Sequence, residues 1–514
     1  MNRLLTLLVI GLAFLLLAPP AEAFCGFYVA QADSSLYNQA SQVAIARHGN
    51  HTVLTMANDY QGDVSEFALV VPVPTVIEPE QVQIADPAIL QRLDRFSAPR
   101  LVYYPETIAP CSELQYLLWP YTLASGGIAQ LESRRDQAAS ALGVTVESRF
   151  SRGEYDILVL SAEESDGLET WLRQNGYRLP EGASQVLKPY IRQGMKFFVA
   201  RVNLAEFDRL GYQTLRPLQI DYESRRFMLP IRLGMVNADG EQDLIVYLLS
   251  SRGRAETTNY RMLEIPTDQP LPGFVADDFG SVYPAIFQHA HQQAGGNVAF
   301  LEYAWDMSWC DPCAADPLSR DELEQAGVSW LDSQGGPPNV YLTRLHVRYR
   351  RDTFPEDLVF QETGNRRNFQ GRYVIKRRTV EDKPAGNCLQ DTLEHLRQEW
   401  EWRQTQDAEA TADDFSTFLR NYLLNDSGLE DANQWSGRTY PTFDADTDPL
   451  RYLKQLTVNV YQQSNQRFLE TLEQEAQTLA DLTGWELDTI RQRMATSSQP
   501  LPAAWRLRYR DLEE

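Results

Sequence analysis

Trp309-Cys310-Asp311-Pro312-Cys313 sets two of the chain's five cysteines two residues apart, just after the apolar run Val298 to Tyr303 that reads as a buried strand. That spacing suits thiol–disulfide exchange. A first thiol at a helix N-terminus is acidified by the dipole and the unpaired N–H groups, and a second thiol resolves the mixed disulfide. Other chemistry-bearing residues are sparser. His48 and His51 flank the turn Gly49-Asn50, and His289-Ala290-His291 would place two imidazoles on one side of an extended segment. Either pair offers metal ligands, although paired surface histidines are more often solvated. His346 alternates with apolar residues and reads as a hydrogen-bonded strand residue. Acidic pairs such as Asp277-Asp278 and Asp413-Asp414 fit solvated faces. The sequence holds no nucleophile elbow, P-loop, His-Glu-x-x-His zinc helix or dinucleotide fingerprint.

With Trp before its first cysteine and Pro before its second, the segment resembles the active-site signature of thioredoxin-like oxidoreductases. The surroundings depart from that pattern. Ala314-Ala315-Asp316-Pro317 brings a proline within a turn, and before Val340 there is room for one short helix near Asp321 to Ala326. A second strand–helix crossover has no place there, and Asp311 adds negative charge beside the thiol. Three readings follow, in this order: a structural disulfide, a redox-active pair with Cys310 attacking and Cys313 resolving, and half of a metal site. A bridge closing a four-residue loop stabilises by only ~2 kcal/mol, against ~4–5 kcal/mol for a long loop such as Cys25 to Cys111. A structural role therefore favours a distant partner for Cys310 or Cys313, with Cys25 and Cys388 as the candidates. No second closely spaced Cys/His pair completes a zinc site.

These residues need a frame. At roughly 150 residues per domain, 514 residues suffice for two to four domains. The chain opens like a secretory leader: Arg3, an apolar run of about 14 residues from Leu4 to Leu17, Pro19-Pro20, then Ala21-Glu22-Ala23 with small residues where a signal peptidase reads. The run is shorter than the ~20 residues that cross a bilayer, so cleavage after Ala23 is expected, with no membrane span afterwards. All five cysteines (Cys25, Cys111, Cys310, Cys313 and Cys388) would then enter an oxidising compartment, periplasmic or extracellular, as disulfide candidates. Their odd number leaves one thiol over, and the pairing is open. The leader carries one Arg and one Glu, so its loss leaves the net charge at −23. Such acidity excludes nucleic-acid binding, which needs a concentrated basic face.

Hydrophobic patterning yields β structure from Phe24 to Pro105, including Gln42 to Arg47, Thr52 to Met56 and Phe67 to Pro74. Ile128 to Leu142 reads as helix, Tyr155 to Leu160 as strand, and a helix capped by Ser165 or Asp166 runs through Leu168 and Leu172 to Gly176. Phe197 to Val202, Phe227 to Leu233 and Asp243 to Leu249 form a second β block around the turn Asn237 to Gly240. Phe279 to Ala294 reads as helix. Val340 to Tyr349 alternates apolar and polar residues as a half-buried strand should. Leu389 to Leu424 and Leu450 to Met494 are rich in Glu, Gln and Leu at helical spacing, with Gly484 interrupting. The expected fold is α+β: a β-rich N-terminal and central core with inserted helices, then a mainly helical C-terminal domain. Boundaries fall at 24–135, 136–265, 266–387 and 388–514.

Several stretches together resemble a bacterial family catalogued as domain of unknown function 2330. They are Phe24-Cys25-Gly26-Phe27-Tyr28-Val29; Asn58 to Asp63 with Phe67 to Pro74; and Trp171-Leu172 with Asn175-Gly176-Tyr177. Tyr303-Ala304-Trp305 with Trp309 to Cys313, Thr343 to His346, and Asn368 to Tyr373 complete the set. The resemblance implies an exported bacterial protein and assigns no activity. The expected function is a structural or interaction role on a disulfide-stabilised core, without cofactor or metal and with an unknown protein or cell-envelope partner. The alternative is a thiol–disulfide oxidoreductase using Cys310 and Cys313, and a metal-dependent hydrolase comes third.

Overall fold

The computed structural model describes residues 41–57, 68–118, 148–161, 183–210, 215–234, 241–311, 316–332, 336–350, 352–381, 383–406, 414–425, 427 and 440–496. The leader, Cys25, the expected helices at 128–142 and 168–176, the turn at 237–240 and Pro312-Cys313 lie outside them. The fold is α+β, and the chain divides into two compact units, each assembled from separated segments.

The first unit draws on Met1–Arg100, Ser133–Asp268 and Gly280–Arg372. Its main sheet contains β1 (Ser41–His48), β2 (His51–Met56), β3 (Val82–Ile84), β4 (Leu218–Glu223), β5 (Gln242–Ser250), β6 (Arg261–Glu264), β7 (Val298–Asp306), β8 (Tyr341–Tyr349) and β9 (Phe369–Gln370). Their spatial order is β6-β7-β8-β5-β1-β2-β4-β3, with β9 paired to β7. The β1–β2 hairpin closes as expected on Gly49-Asn50, because Gly49 takes a φ of 60° that a glycine adopts without strain. β1 runs parallel to β5, which pairs antiparallel with β8.

Helix α1 (Pro87–Ser97) lies in the stretch read as β. Its start signal is local: Asp86 caps Ala88 N, and Pro87 fills the first helical position, where its missing N–H costs nothing. Ile89, Leu90, Leu93 and Phe96 are buried in one core with Ala44, Val53, Ile245, Tyr247 and Leu342. Each such side chain contributes roughly 1.5–3 kcal/mol on leaving water. The expected strand over Phe227 to Leu233 shrinks to Met228–Leu229, since Pro230 brings no N–H to a ladder.

Helix α2 (Val275–Gln293), whose backbone is non-helical at Asp278, gives residues 280–293 to this unit, and α3 (Arg320–Gln325) begins with a Ser319/Glu322 capping box. A second antiparallel sheet orders Ala68–Val73, Lys196–Val202, Tyr155–Ser161 and Ser148–Arg152. The helix Ala183–Arg192 supplies Leu187 and Tyr190 to a core shared with Val70, Leu160 and Phe197 from this sheet.

The second unit draws on Leu101–Glu132, Gln269–Phe279 and Tyr373–Glu514. Strands Gln269–Leu271, Arg372–Val380 and Arg100–Ile108 form a small sheet. Helices Pro110–Leu118, Ala385–Gln406, Phe415–Asn425 and Pro449–Thr483 bury Leu114, Leu396, Leu419, Leu453 and Val460 together. The helix Pro449–Thr483 is bounded by local signals: Asp448 caps Arg451 N, Pro449 follows, and Gly484 ends it at φ 70°.

Candidate functional site

The Trp309–Cys313 segment leaves β7 through a tight turn. Ser308 donates to Asp306 Oδ1 from its N–H at 3.0 Å and its hydroxyl at 2.7 Å, while Met307 N–H donates to Val340 O at 2.9 Å. Asp311, expected to place its charge beside the thiol, turns inward. It is 3% exposed, and its Oδ2 accepts from Tyr303 OH at 3.0 Å and Gln370 Nε2 at 2.6 Å. Burial first, and then the Asp311 charge, raise the Tyr303 pKa strongly, so the phenol stays a neutral donor. The motif's acid is thus an anchor. Trp309 is 68% exposed and Cys310 is an exposed free thiol. Trp309 to Asp311 are non-helical, and the next described helix, α3, opens only at Arg320. No described helix therefore begins at Cys310.

One of the two partners expected for the motif, Cys388, is used elsewhere. Cys388 is bonded to Cys111, with Cα atoms 5.6 Å apart and a sequence separation of 277. Both lie in the second unit, where helices Pro110–Leu118 and Ala385–Gln406 share one core. Folding, rather than sequence distance, sets which cysteines meet.

A dense polar arrangement among the described residues of the first unit is one that the pattern of β8 disguises. Leu342, Arg344, His346 and Arg348 share one strand face. Alternation suggested that this face meets water, yet Arg344 is 0% and His346 9% exposed, because α1 and α2 cover it. A bulge between Leu301 and Tyr303 makes Glu302 the extra residue of β7 and re-aims it. Glu302 Oε2 then accepts from Arg344 Nε at 2.6 Å, and Oε1 lies 2.7 Å from His346 Nδ1 and accepts from Tyr283 OH. Arg344 Nη1 also donates to Asp94 Oδ1 at 2.6 Å, and Arg348 donates twice to Asp243 across the strand pair. Phe287 stacks on His346 at 3.6 Å. Every charge on this face has an opposite one beside it, which is what makes the burial tolerable.

Burial pushes the His346 imidazole down, but Glu302 and Asp243 outweigh it and hold its pKa above the ordinary histidine value. Burial likewise opposes ionisation of Glu302, and His346, Arg344 and Tyr283 together hold it down at about 2. A raised folded pKa means that the stability from charged His346 is complete below the unfolded value of about 6.5 and is lost as pH rises through the folded value. The depressed Glu302 acts in the opposite sense, losing its contribution as pH falls toward about 2. We expect His346→Gln to flatten the alkaline fall in stability above pH ~6.5 and, because the imidazolium also holds Glu302 down, to move the acid limb to higher pH, measured as urea midpoints against pH.

The remaining histidines separate. His289 and His291 lie in a helix rather than an extended segment, and two residues on a helix point to opposite sides. Accordingly His289 sits 2.7 Å from Gln293 Nε2, while buried His291 contacts Arg348 O at 3.2 Å. His48 and His51 do meet, as directly opposed hairpin residues. His48 stacks on Trp330 at 5.3 Å, and His51 Nε2 donates to Asp221 Oδ1 at 2.7 Å. No group of three His, Cys, Asp or Glu able to hold a metal occurs among the described residues.

A family described as an uncharacterized protein conserved in bacteria (DUF2330) matches residues 19–361. The chain belongs to this family. The matched stretch contains Trp309 to Cys313, the Glu302–Arg344–His346 network and the His48/His51 hairpin, whereas Cys388 lies beyond it. Among curated proteins none matches. The chain has a likeness to the crystal structure of a mutated baculovirus P35 after caspase cleavage, at 9% identity and a TM-score of 0.22. That likeness covers 42% of this chain and 66% of that one, just under two thirds of its length, and carries no argument at such a score.

Proposed function

We propose that this family member is an exported bacterial protein with a structural or interaction role, stapled by Cys111–Cys388 and serving a protein or cell-envelope partner. The disulfide carries the reading, since such bonds persist in oxidising compartments and are rare in the bacterial cytosol. The leader-like run from Leu4 to Ala23 supports it. So does the fact that no helix among the described residues is long and apolar enough to cross a membrane. For the interaction role, the support is Trp309, a large aromatic held outside on a base fixed by buried Asp311. Rigid, exposed tryptophans are the side chains that dominate binding energy at interfaces.

Cell fractionation, N-terminal sequencing and disulfide mapping by mass spectrometry on the recovered protein test this. The expected result is export, an N-terminus at Phe24, an oxidised Cys111–Cys388 pair and no catalysis of insulin reduction. Cytosolic protein with both cysteines reduced overturns the reading. Insulin reduction that disappears in Cys310→Ser replaces it with the thiol–disulfide enzyme, which the exposed Cys310 thiol alone favours.

A further inference from the structure

Residues from three separate parts of the first unit converge at the β1–β2 hairpin. His51 opens β2, Asp221 lies on the neighbouring β4, and Ser329 follows α3. In the β2–β4 ladder Val53 opposes Asp221 and His51 opposes Glu223, so His51 and Asp221 are diagonal neighbours on one sheet face, within side-chain reach. Ser329 arrives by a different device. Helix α3 ends in a Schellman turn, with Gly327 N–H donating to Glu324 O at 2.9 Å and Val328 N–H to Leu323 O at 3.0 Å. Gly327 holds φ 95°, and a Cβ there would stand 2.6 Å from Val53 Cγ1. Only glycine lets this turn press so closely onto β2, and the next residues, Ser329 and Trp330, then lie across the hairpin. Trp330 stacks on His48, and its Nε1 donates to Asn339 O at 3.0 Å.

The resulting atom order is that of a charge-assisted base and its nucleophile. His51 Nε2–H donates to Asp221 Oδ1 at 2.7 Å, which leaves the Nδ1 lone pair to accept the Ser329 hydroxyl at 3.3 Å. That second distance is looser than the first, as nucleophile–base pairs are before substrate binds. The ring nitrogens are exchanged relative to the familiar serine-protease arrangement, but either nitrogen is a competent base when the other is held by a carboxylate. Ser329 is exposed, and the His51 and Asp221 side chains are 28% and 45% exposed, so the assembly is reached from solvent, with Trp330 next in the chain stacked on the neighbouring His48.

We propose that Ser329, His51 and Asp221 form a serine-nucleophile site that hydrolyses carboxylic esters presented at the surface, with the acyl group lying against Trp330. Ser329 Oγ bonds to the carbonyl carbon while its proton passes to His51 Nδ1, and Asp221 holds the imidazolium. The C–O bond to the alcohol breaks, the alcohol takes the Nδ1 proton, and an acyl-Ser329 remains. Water then attacks that carbonyl, gives its proton to His51 and releases the carboxylic acid. The proton on His51 returns to Ser329 Oγ, so one ester and one water yield one acid and one alcohol.

The hydrogen bond to Asp221 raises the His51 pKa most, and the Glu223 charge adds to it, while burial and Arg47 act against them. The test uses the full chain with its disulfide intact, a fluorophosphonate probe with peptide mapping, and p-nitrophenyl acetate turnover. Expected are a covalent adduct on Ser329 that is absent in Ser329→Ala, and labelling slowed ~10²-fold or more in His51→Gln, in line with loss of a general base. The labelling rate should rise with pH about a midpoint above ~6.5, and Asp221→Asn should move that midpoint down. No Ser329 adduct in protein of native circular dichroism overturns the proposal. So does labelling that is equally fast in His51→Gln.

Discussion

Replacing Cys111 and Cys388 together by alanine is expected to destabilise the helical unit by about 2–5 kcal/mol, toward the upper end because the bridge closes a loop of 277 residues. The chain-entropy argument is that an open chain samples far more conformations once the tie is lost, and the cost grows with the logarithm of loop length. The bridge joins the starts of helices Pro110–Leu118 and Ala385–Gln406, so its loss acts where the C-terminal helices are tied to the rest of their core. Hydrogen exchange with mass spectrometry locates the effect. Peptides from Ala385–Gln406 and Pro449–Thr483 should lose protection, while those from Tyr341–Tyr349 in the other unit keep theirs. Wild-type protein treated with reductant should match the double variant. An unchanged urea midpoint would mean that packing around Glu113, which accepts from Tyr440, Ser464 and Arg467, already holds these helices without the bond.

Arg344→Ala should cost about 3–5 kcal/mol, the range found when one partner of a buried charge pair is removed. The reason is less the lost attraction than what stays behind. Glu302 is fully buried, and Asp94 is nearly so, with its carboxylate shared between Arg344 and Tyr247. Without the guanidinium, Glu302 retains only His346 and Tyr283, and its depressed pKa must rise. A double-mutant cycle with Glu302→Gln should return a coupling above about 1 kcal/mol. It should also move the acid limb of stability to higher pH in Arg344→Ala, measured by urea unfolding between pH 3 and 7. A cost below about 1 kcal/mol would show that water replaces the guanidinium, contrary to the burial of this face.

These residues also mark the limits of pattern reading. Alternation in β8 is real, and its inference of a strand holds, but alternation reports that two faces differ and not which of them water touches. The polar face is covered because a bulge at Glu302 and a capped helix at Pro87–Ser97 bring countercharges to it. Neither feature can be read from β8 itself. The Trp309–Cys313 segment shows the same limit. Its residue types allowed redox, metal or structural roles, and its following proline argued against a full helix. The inward turn of Asp311 depends on Tyr303 and on Gln370, the latter 59 residues away.

What needed only local chemistry was present in the residues: the Gly49-Asn50 hairpin, the Gly484 interruption, the α+β class and the family resemblance. Caps, turns and period depend on neighbours a few positions away, so a linear string contains them. Tertiary structure alone decided that Cys388 meets Cys111 and that Arg344 is buried between Glu302 and Asp94. It also decided that Ser329 stands against His51, although they lie 278 positions apart in sequence. Those outcomes turn on which faces pack together, a balance of burial and chain entropy summed over the whole unit, to which no single motif holds the key.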